Sequence, residues 1–161
     1  MGGGVPHLMN LSTHFTLEEF TKSQAGERFG IANVPDEKQI ACMKRLCEKV
    51  LEVVRLNLGP VHINSGFRSL EINGLIGGAS SSQHCKGEAA DIEIPGIANG
   101  DLARWIEKHC EYDQLILECY KPGVPTSGWV HVSFKSVDNR KQELTATVIG
   151  GKMTYQNGIH P

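Results

Sequence analysis

The chain has 161 residues and a formal charge of −2, from 16 Lys+Arg against 18 Asp+Glu, with 40% hydrophobic and 21% charged residues. That length predicts one domain around one core, and the near-neutral balance leaves no electrostatic footprint for a nucleic-acid partner or an anionic membrane. No apolar run approaches the ~20 residues needed to span a bilayer, and the start Met1-Gly2-Gly3-Gly4-Val5-Pro6 lacks the basic and apolar regions of a secretory signal peptide.

Thr16-Leu17-Glu18-Glu19 reads as a capping box that opens a short helix through about Ser23. Val34-Pro35-Asp36 starts the strongest helix, with Ile40, Met43, Leu46/Cys47, Val50/Leu51, Val54 and Leu58 recurring at three and four residues. Gly59-Pro60 ends it. Short strands follow at Val61 to Ser65 and Ala89 to Ile94, then a helix from about Asn99 to Cys110. Further strands run from Gln114 to Glu118 and from Trp129 to Phe134. A terminal hairpin pairs Leu144 to Ile149 with Lys152 to Tyr155 across Gly150-Gly151.

Helices first and a mostly antiparallel sheet second make a small α+β domain. Its expected divisions are an N-terminal extension over 1–13, a core over 14–134 and the hairpin within 143–156. The five cysteines (Cys42, Cys47, Cys85, Cys110, Cys119) form no Cys-x-x-Cys pair and read as reduced core filler.

The densest polar cluster runs from Ser80 to Asp91, between the glycine turn Gly77-Gly78 and a strand. The strand's period of two puts Asp91 and Glu93 on one face, and Gly87 lets the chain bend back from His84. On the Trp129–Phe134 strand, His131 shares a face with Trp129 and Ser133. If the two strands are neighbours, His84, Asp91 and His131 form a His-Asp-His set. Three protein ligands leave zinc's fourth tetrahedral position open, the arrangement of catalytic sites. The same set suits other divalent ions. A single His in a strand is more often a surface or hydrogen-bonded residue, so spacing alone leaves both readings standing.

Ser65-Gly66-Phe67-Arg68-Ser69, Asn73, Gly77-Gly78, Ser82-x-His84-x-x-Gly87-x-Ala89-x-Asp91 and Trp129-Val130-His131 occur in order. Together they resemble the signature of the D-Ala-D-Ala carboxypeptidase family of zinc metallopeptidases, whose fold is shared with lysostaphin-type peptidases and the hedgehog signalling domain. Phage endolysins and the dipeptidases of vancomycin resistance belong to that family. The stretch from His14 to Phe20 and on through Asn33-Val34-Pro35 resembles its phage-associated branch.

The resemblance implies one zinc ion held by His84, Asp91 and His131. Many relatives carry the general base three residues before the last His, and here that position is Gly128. Glu118, at the end of the preceding strand, is the substitute, with Asp113 as fallback. Arg68 is expected to contact substrate and to hold negative charge developing on the scissile carbonyl. Ser82 and Trp129 are expected to touch substrate. Cys85, beside His84, would point away from it and serve as filler. His62 is expected to be a buried, hydrogen-bonded residue, while His7, His14, His109 and His160 have no partner constellation.

The expected protein is thus a monomeric peptidase that hydrolyses peptidoglycan stem peptides, as a carboxypeptidase or an endolysin-type endopeptidase. The lack of an export signal fits a phage or prophage protein made in the cytoplasm and released or delivered to the wall. The rivals are a non-catalytic, zinc-containing hedgehog-like binding module, favoured by the missing acid at 128, and a structural zinc or phage-particle component.

Overall fold

A computed structural model describes residues 9–161; His7 and the first eight residues of the N-terminal extension lie outside it. The helices are α1 (Leu17–Thr21), α2 (Gln24–Phe29), α3 (Glu37–Leu46), α4 (Glu52–Leu58), α5 (Leu70–Leu75) and α6 (Asn99–His109). The strands are β1 (His62–Ser65), β2 (Ala89–Glu93), β3 (Gln114–Glu118), β4 (Trp129–Ser133), β5 (Gln142–Ile149) and β6 (Lys152–Asn157). They form one sheet in the order β1-β2-β4-β3-β5-β6. Every neighbouring pair is antiparallel except β3 and β5. This is the α+β architecture that the sequence predicts.

Local chemistry sets the element starts. Thr16 and Glu19 form a reciprocal capping box on α1, and Asp36 and Gln39 form another on α3. The long helix expected from Asp36 to Leu58 is interrupted by a π-helical turn, Cys47–Leu51, between α3 and α4. The extra residue widens the turn and brings both apolar doublets, Leu46/Cys47 and Val50/Leu51, to zero exposure. Two short helices, α2 and α5, were not legible in the pattern because six residues are too few for periodicity to stand out. The hairpin of β5 and β6 is longer than expected, reaching Gln142 and Asn157.

One face of the sheet packs on the helices. Ala90, Ile92, Leu115, Leu117, Val130 and Val132 meet Met43, Leu46, Val50, Leu102 and Ile106 in a single buried cluster. The period of two then sends the alternate residues to the opposite face. Across the middle of the sheet, Asp91, His131, Ile116 and Leu144 fall in register on four adjacent strands. One step along, Trp129 is the partner of Glu118. The polar residues of the sequence motifs therefore gather on one surface, over a scaffold that the core makes rigid.

Candidate metal centre

Each member of the His-Asp-His set is delivered by a different element. His84 sits in a 3-10 turn, Gln83–Lys86, capped by the Ser82 hydroxyl, which accepts from the His84 amide at 3.3 Å. The turn is braced by α3, because Gln39 Nε2 donates to the Cys85 carbonyl at 3.1 Å. Gly87 follows with φ +75°, and a Cβ there would overlap the Gln39 carbonyl. No other residue type fits that approach. Asp91 and His131 face each other on β2 and β4.

The three residues are 3%, 9% and 7% exposed, and their ligand atoms all lie within 4.8 Å of one another. His84 Nε2 is 3.3 Å from Asp91 Oδ1, and His131 Nδ1 is 3.0 Å from the same oxygen. A tetrahedron with zinc bonds of 2.0–2.1 Å has edges of about 3.3 Å, close to both separations. The His84 tautomer gives an independent test of fit. Its Nδ1 is 2.7 Å from the Gly66 carbonyl oxygen, which can only accept, so Nδ1 carries the proton. In a neutral ring Nε2 then turns a lone pair toward a carboxylate oxygen. That pairing is repulsive unless a second proton or a metal cation lies between the two atoms. Burial works to raise the Asp91 carboxyl, but His84 and His131 override it and hold Asp91 well below the usual carboxylate range. An ionised aspartate and two imidazoles suit zinc, and the residues present fit it.

A cleft of about 670 Å³ opens beside the cluster, lined by Arg68, Ser82, Gln83, Glu118, His131 and Tyr155 among others. Burial pushes the Glu118 carboxyl up from its ordinary value; Asp91 adds to this, while His131 and Arg68 oppose it. Arg68 lies on a loop fixed at both flanks. The Phe67 amide donates to the Phe20 carbonyl at 2.7 Å, and the Ser69 amide donates to Asn33 Oδ1 at 2.8 Å. Asn33 Nδ2 also donates to the carbonyls of Thr21 and Phe67. Arg68 Nε is buried and has no partner among the described residues. Trp129 Nε1 is in the same condition, on the strand position facing Glu118.

Asp113, the fallback base, is elsewhere occupied. Its fully buried carboxylate takes Arg140 Nη2 at 2.8 Å, Gln83 Nε2 at 3.0 Å and the Arg140 amide at 3.0 Å. It therefore ties the turn that carries His84 to the Lys135–Arg140 loop. Asn73 donates to the Ala79 carbonyl and packs so closely on Gly78 that a Cβ there would overlap it, so both shape the approach to that turn. Burial raises the Cys85 thiol, and all five cysteines are free.

Two placements differ from those expected. His62 is exposed rather than buried, and it borders a second cleft on the β1 side of Arg68. His14 has partners after all: its Nδ1 is 2.7 Å from Glu52 Oε2, and Ser12 Oγ donates to Glu52 Oε1 at 2.6 Å. Tyr155 and Leu144 border the metal-side cleft although no motif contains them. The signal that could have found them is their shared parity on the hairpin, Tyr155 opposite Ala146 and Leu144 opposite Asn157.

The family model described as Peptidase M15 matches residues 13–133, more than half of the chain. A 44-residue stretch is 46% identical to the zinc D-Ala-D-Ala carboxypeptidase of Streptomyces albus G, covering 26% of this chain and 17% of that relative. The chain thus matches about a sixth of the relative's length.

Proposed function

This chain is a member of the peptidase M15 family, and from that premise we propose that it is a zinc-dependent hydrolase of peptide bonds in peptidoglycan stem peptides, its described residues acting as a single catalytic domain. The observation that carries the reading is the convergence of His84, Asp91 and His131 on one buried point beside an open cleft.

His84 through Nε2, Asp91 through a carboxylate oxygen and His131 through Nδ1 would hold the ion. When bound, zinc supplies Lewis acidity, which polarises a carbonyl and acidifies water. The chain's own groups do the rest. Glu118, raised by burial, stands in the cleft to take a proton from the attacking water and return it to the leaving amine. Arg68 offers an unpaired, permanently charged donor to oxygen charge developing on the scissile carbonyl. Ser82 lines the cleft and contacts the peptide, and Trp129, opposite Glu118 on the neighbouring strand, walls the groove at that end. The Gly66 carbonyl fixes the His84 ring so that no reorientation is needed when the ion binds. The fold needs no second copy to complete this cluster, in keeping with a monomer. The resemblance of the 14–35 stretch to phage lysins supports a phage or prophage protein acting on the wall after release or delivery.

Incubation of the zinc-loaded protein with defined muropeptides, followed by mass spectrometry, tests the reading. Loss of terminal D-Ala marks a carboxypeptidase and internal fragments mark an endopeptidase; both stop with chelator. One observation favours a second reading, a zinc-containing binding module: the position three before His131 is glycine. Muropeptide binding without any product would support the module and overturn the hydrolase.

A further inference from the structure

One row of residues crosses four strands of the sheet beside the cleft. Trp129 on β4 is the partner of Glu118 on β3. Leu117 pairs with Thr145 in the parallel register, so the next step along both strands sets Glu118 beside Ala146 on β5. Ala146 in turn is the partner of Tyr155 on β6. The Tyr120 amide donates to the Ala146 carbonyl at 3.2 Å, which keeps β5 joined to the chain just past Glu118.

Ala146 leaves a notch in this row. It shares parity with Leu144, which lines the cleft, so its methyl lies on the cleft's face of the sheet. It is fully buried yet stands outside the core cluster of sheet and helices, so its cover comes from its neighbours on the cleft's face. The strands of Glu118 and Tyr155 are two spacings apart, roughly 10 Å, and only that methyl stands between them. Tyr155 accordingly lines the same cleft as Glu118 and His131. Burial pushes its hydroxyl up, and the neighbouring Glu118 and Cys119 add to this, so the group is a protonated donor at neutral pH. The hairpin that carries it follows the 13–133 stretch matched by the family model.

We propose that Tyr155 is a substrate-holding residue of this cleft: its ring packs on the peptide above Ala146, and its hydroxyl donates to a main-chain carbonyl of the peptide on the Glu118 flank. The inference rests on the peptidase reading and adds to it a contact supplied by the C-terminal hairpin. A main-chain carbonyl is the fitting acceptor, because every residue of a peptide offers one whatever its side chain. The contact is made alike before and during reaction, so it is expressed in affinity rather than in kcat.

The probe is the stem peptide L-Ala-γ-D-Glu-L-Lys-D-Ala-D-Ala. Calorimetry on the zinc-loaded E118Q protein, with and without the added changes Y155F, Y155A and T154A, separates affinity from cleavage. Y155F is expected to weaken binding about fivefold and Y155A further still. T154A, on the opposite face of the same outer strand, is expected to leave affinity unchanged. Tyr155 and Thr154 are both exposed, so zinc content and melting temperature should stay at their starting values in all three. With Glu118 in place, Y155F and Y155A should raise KM and keep kcat within about twofold. Unchanged affinity in Y155F, an equal loss in T154A, or a fall in kcat at unchanged affinity overturns the assignment. Failure of the peptidase reading shows separately, as absence of product from the wild-type protein in the presence of zinc, and leaves the binding comparison standing.

Discussion

Gly128 and Glu118 meet where β3 gives way to the loop that returns into β4. Gly128 has φ +66°, and a Cβ built on it would overlap the carbonyl oxygen of Glu118. Position 128, where the family resemblance leads one to expect an acid, is thus closed to any side chain here, and the residue that closes it is itself a carboxylate in the cleft. Gly128→Asp is expected to lower the unfolding free energy by roughly 2–4 kcal/mol, through the left-handed backbone and the overlap together. It is not expected to raise turnover. Denaturant midpoints and a peptidase assay read the two effects, and a stable, faster variant would return the base to position 128.

Glu118→Gln keeps the size of the side chain and removes its ability to take a proton. Turnover is expected to fall 10²- to 10⁴-fold while the zinc content stays at that of the wild type. The measurements are kcat on a defined muropeptide and metal analysis of the same sample. Turnover within a few fold of wild type would remove Glu118 from the chemistry.

His84→Ala, Asp91→Ala and His131→Ala each delete one of three converging ligand atoms. Each is expected to lower zinc affinity by 100-fold or more, and the melting temperature of each should no longer respond to added zinc. In the wild type, chelation should lower the melting temperature, because an ion held by the folded chain stabilises it by mass action. Undiminished zinc content in any one of the three variants would strike that residue from the ligand set.

Much of this site is legible in the sequence because its geometry is carried by short-range rules. Strand parity places Asp91 and His131 on one face, and Gly87 announces the bend that returns His84 toward them. What remained hidden depends on contacts distant in sequence. Nothing near His84 reveals that the Gly66 carbonyl fixes its tautomer, or that Asp113 is held through Gln83 and Arg140. The parallel pairing of β3 with β5 brings Leu144 and Tyr155 toward the cleft, and no local pattern encodes a crossover. The His62 expectation failed for a related reason: alternation gives parity, whereas exposure here follows from β1 being the sheet's outer strand.

Asp113 offers a prediction that separates structure from catalysis. Its carboxylate is buried and would be raised by that burial, but Arg140, with help from Lys135, lowers it to about 2 from an ordinary value of 3.8. As pH falls, the unfolded chain therefore takes up this proton before the folded one does. The stabilisation is complete above pH ~4 and is lost as pH falls from there through about 2. A shift of that size corresponds to about 2 kcal/mol. Between pH 5 and 2 the wild type should lose that much more unfolding free energy than Asp113→Asn, in which the other carboxylates titrate alike. Parallel urea-denaturation curves at each pH measure the difference, and identical pH slopes would show that the pair with Arg140 contributes nothing. At neutral pH, Asp113→Asn should keep turnover within a few fold of wild type, since the carboxylate is spent on Arg140 and Gln83 rather than turned to the cleft. Abolished turnover with zinc retained would instead assign the proton transfer to Asp113.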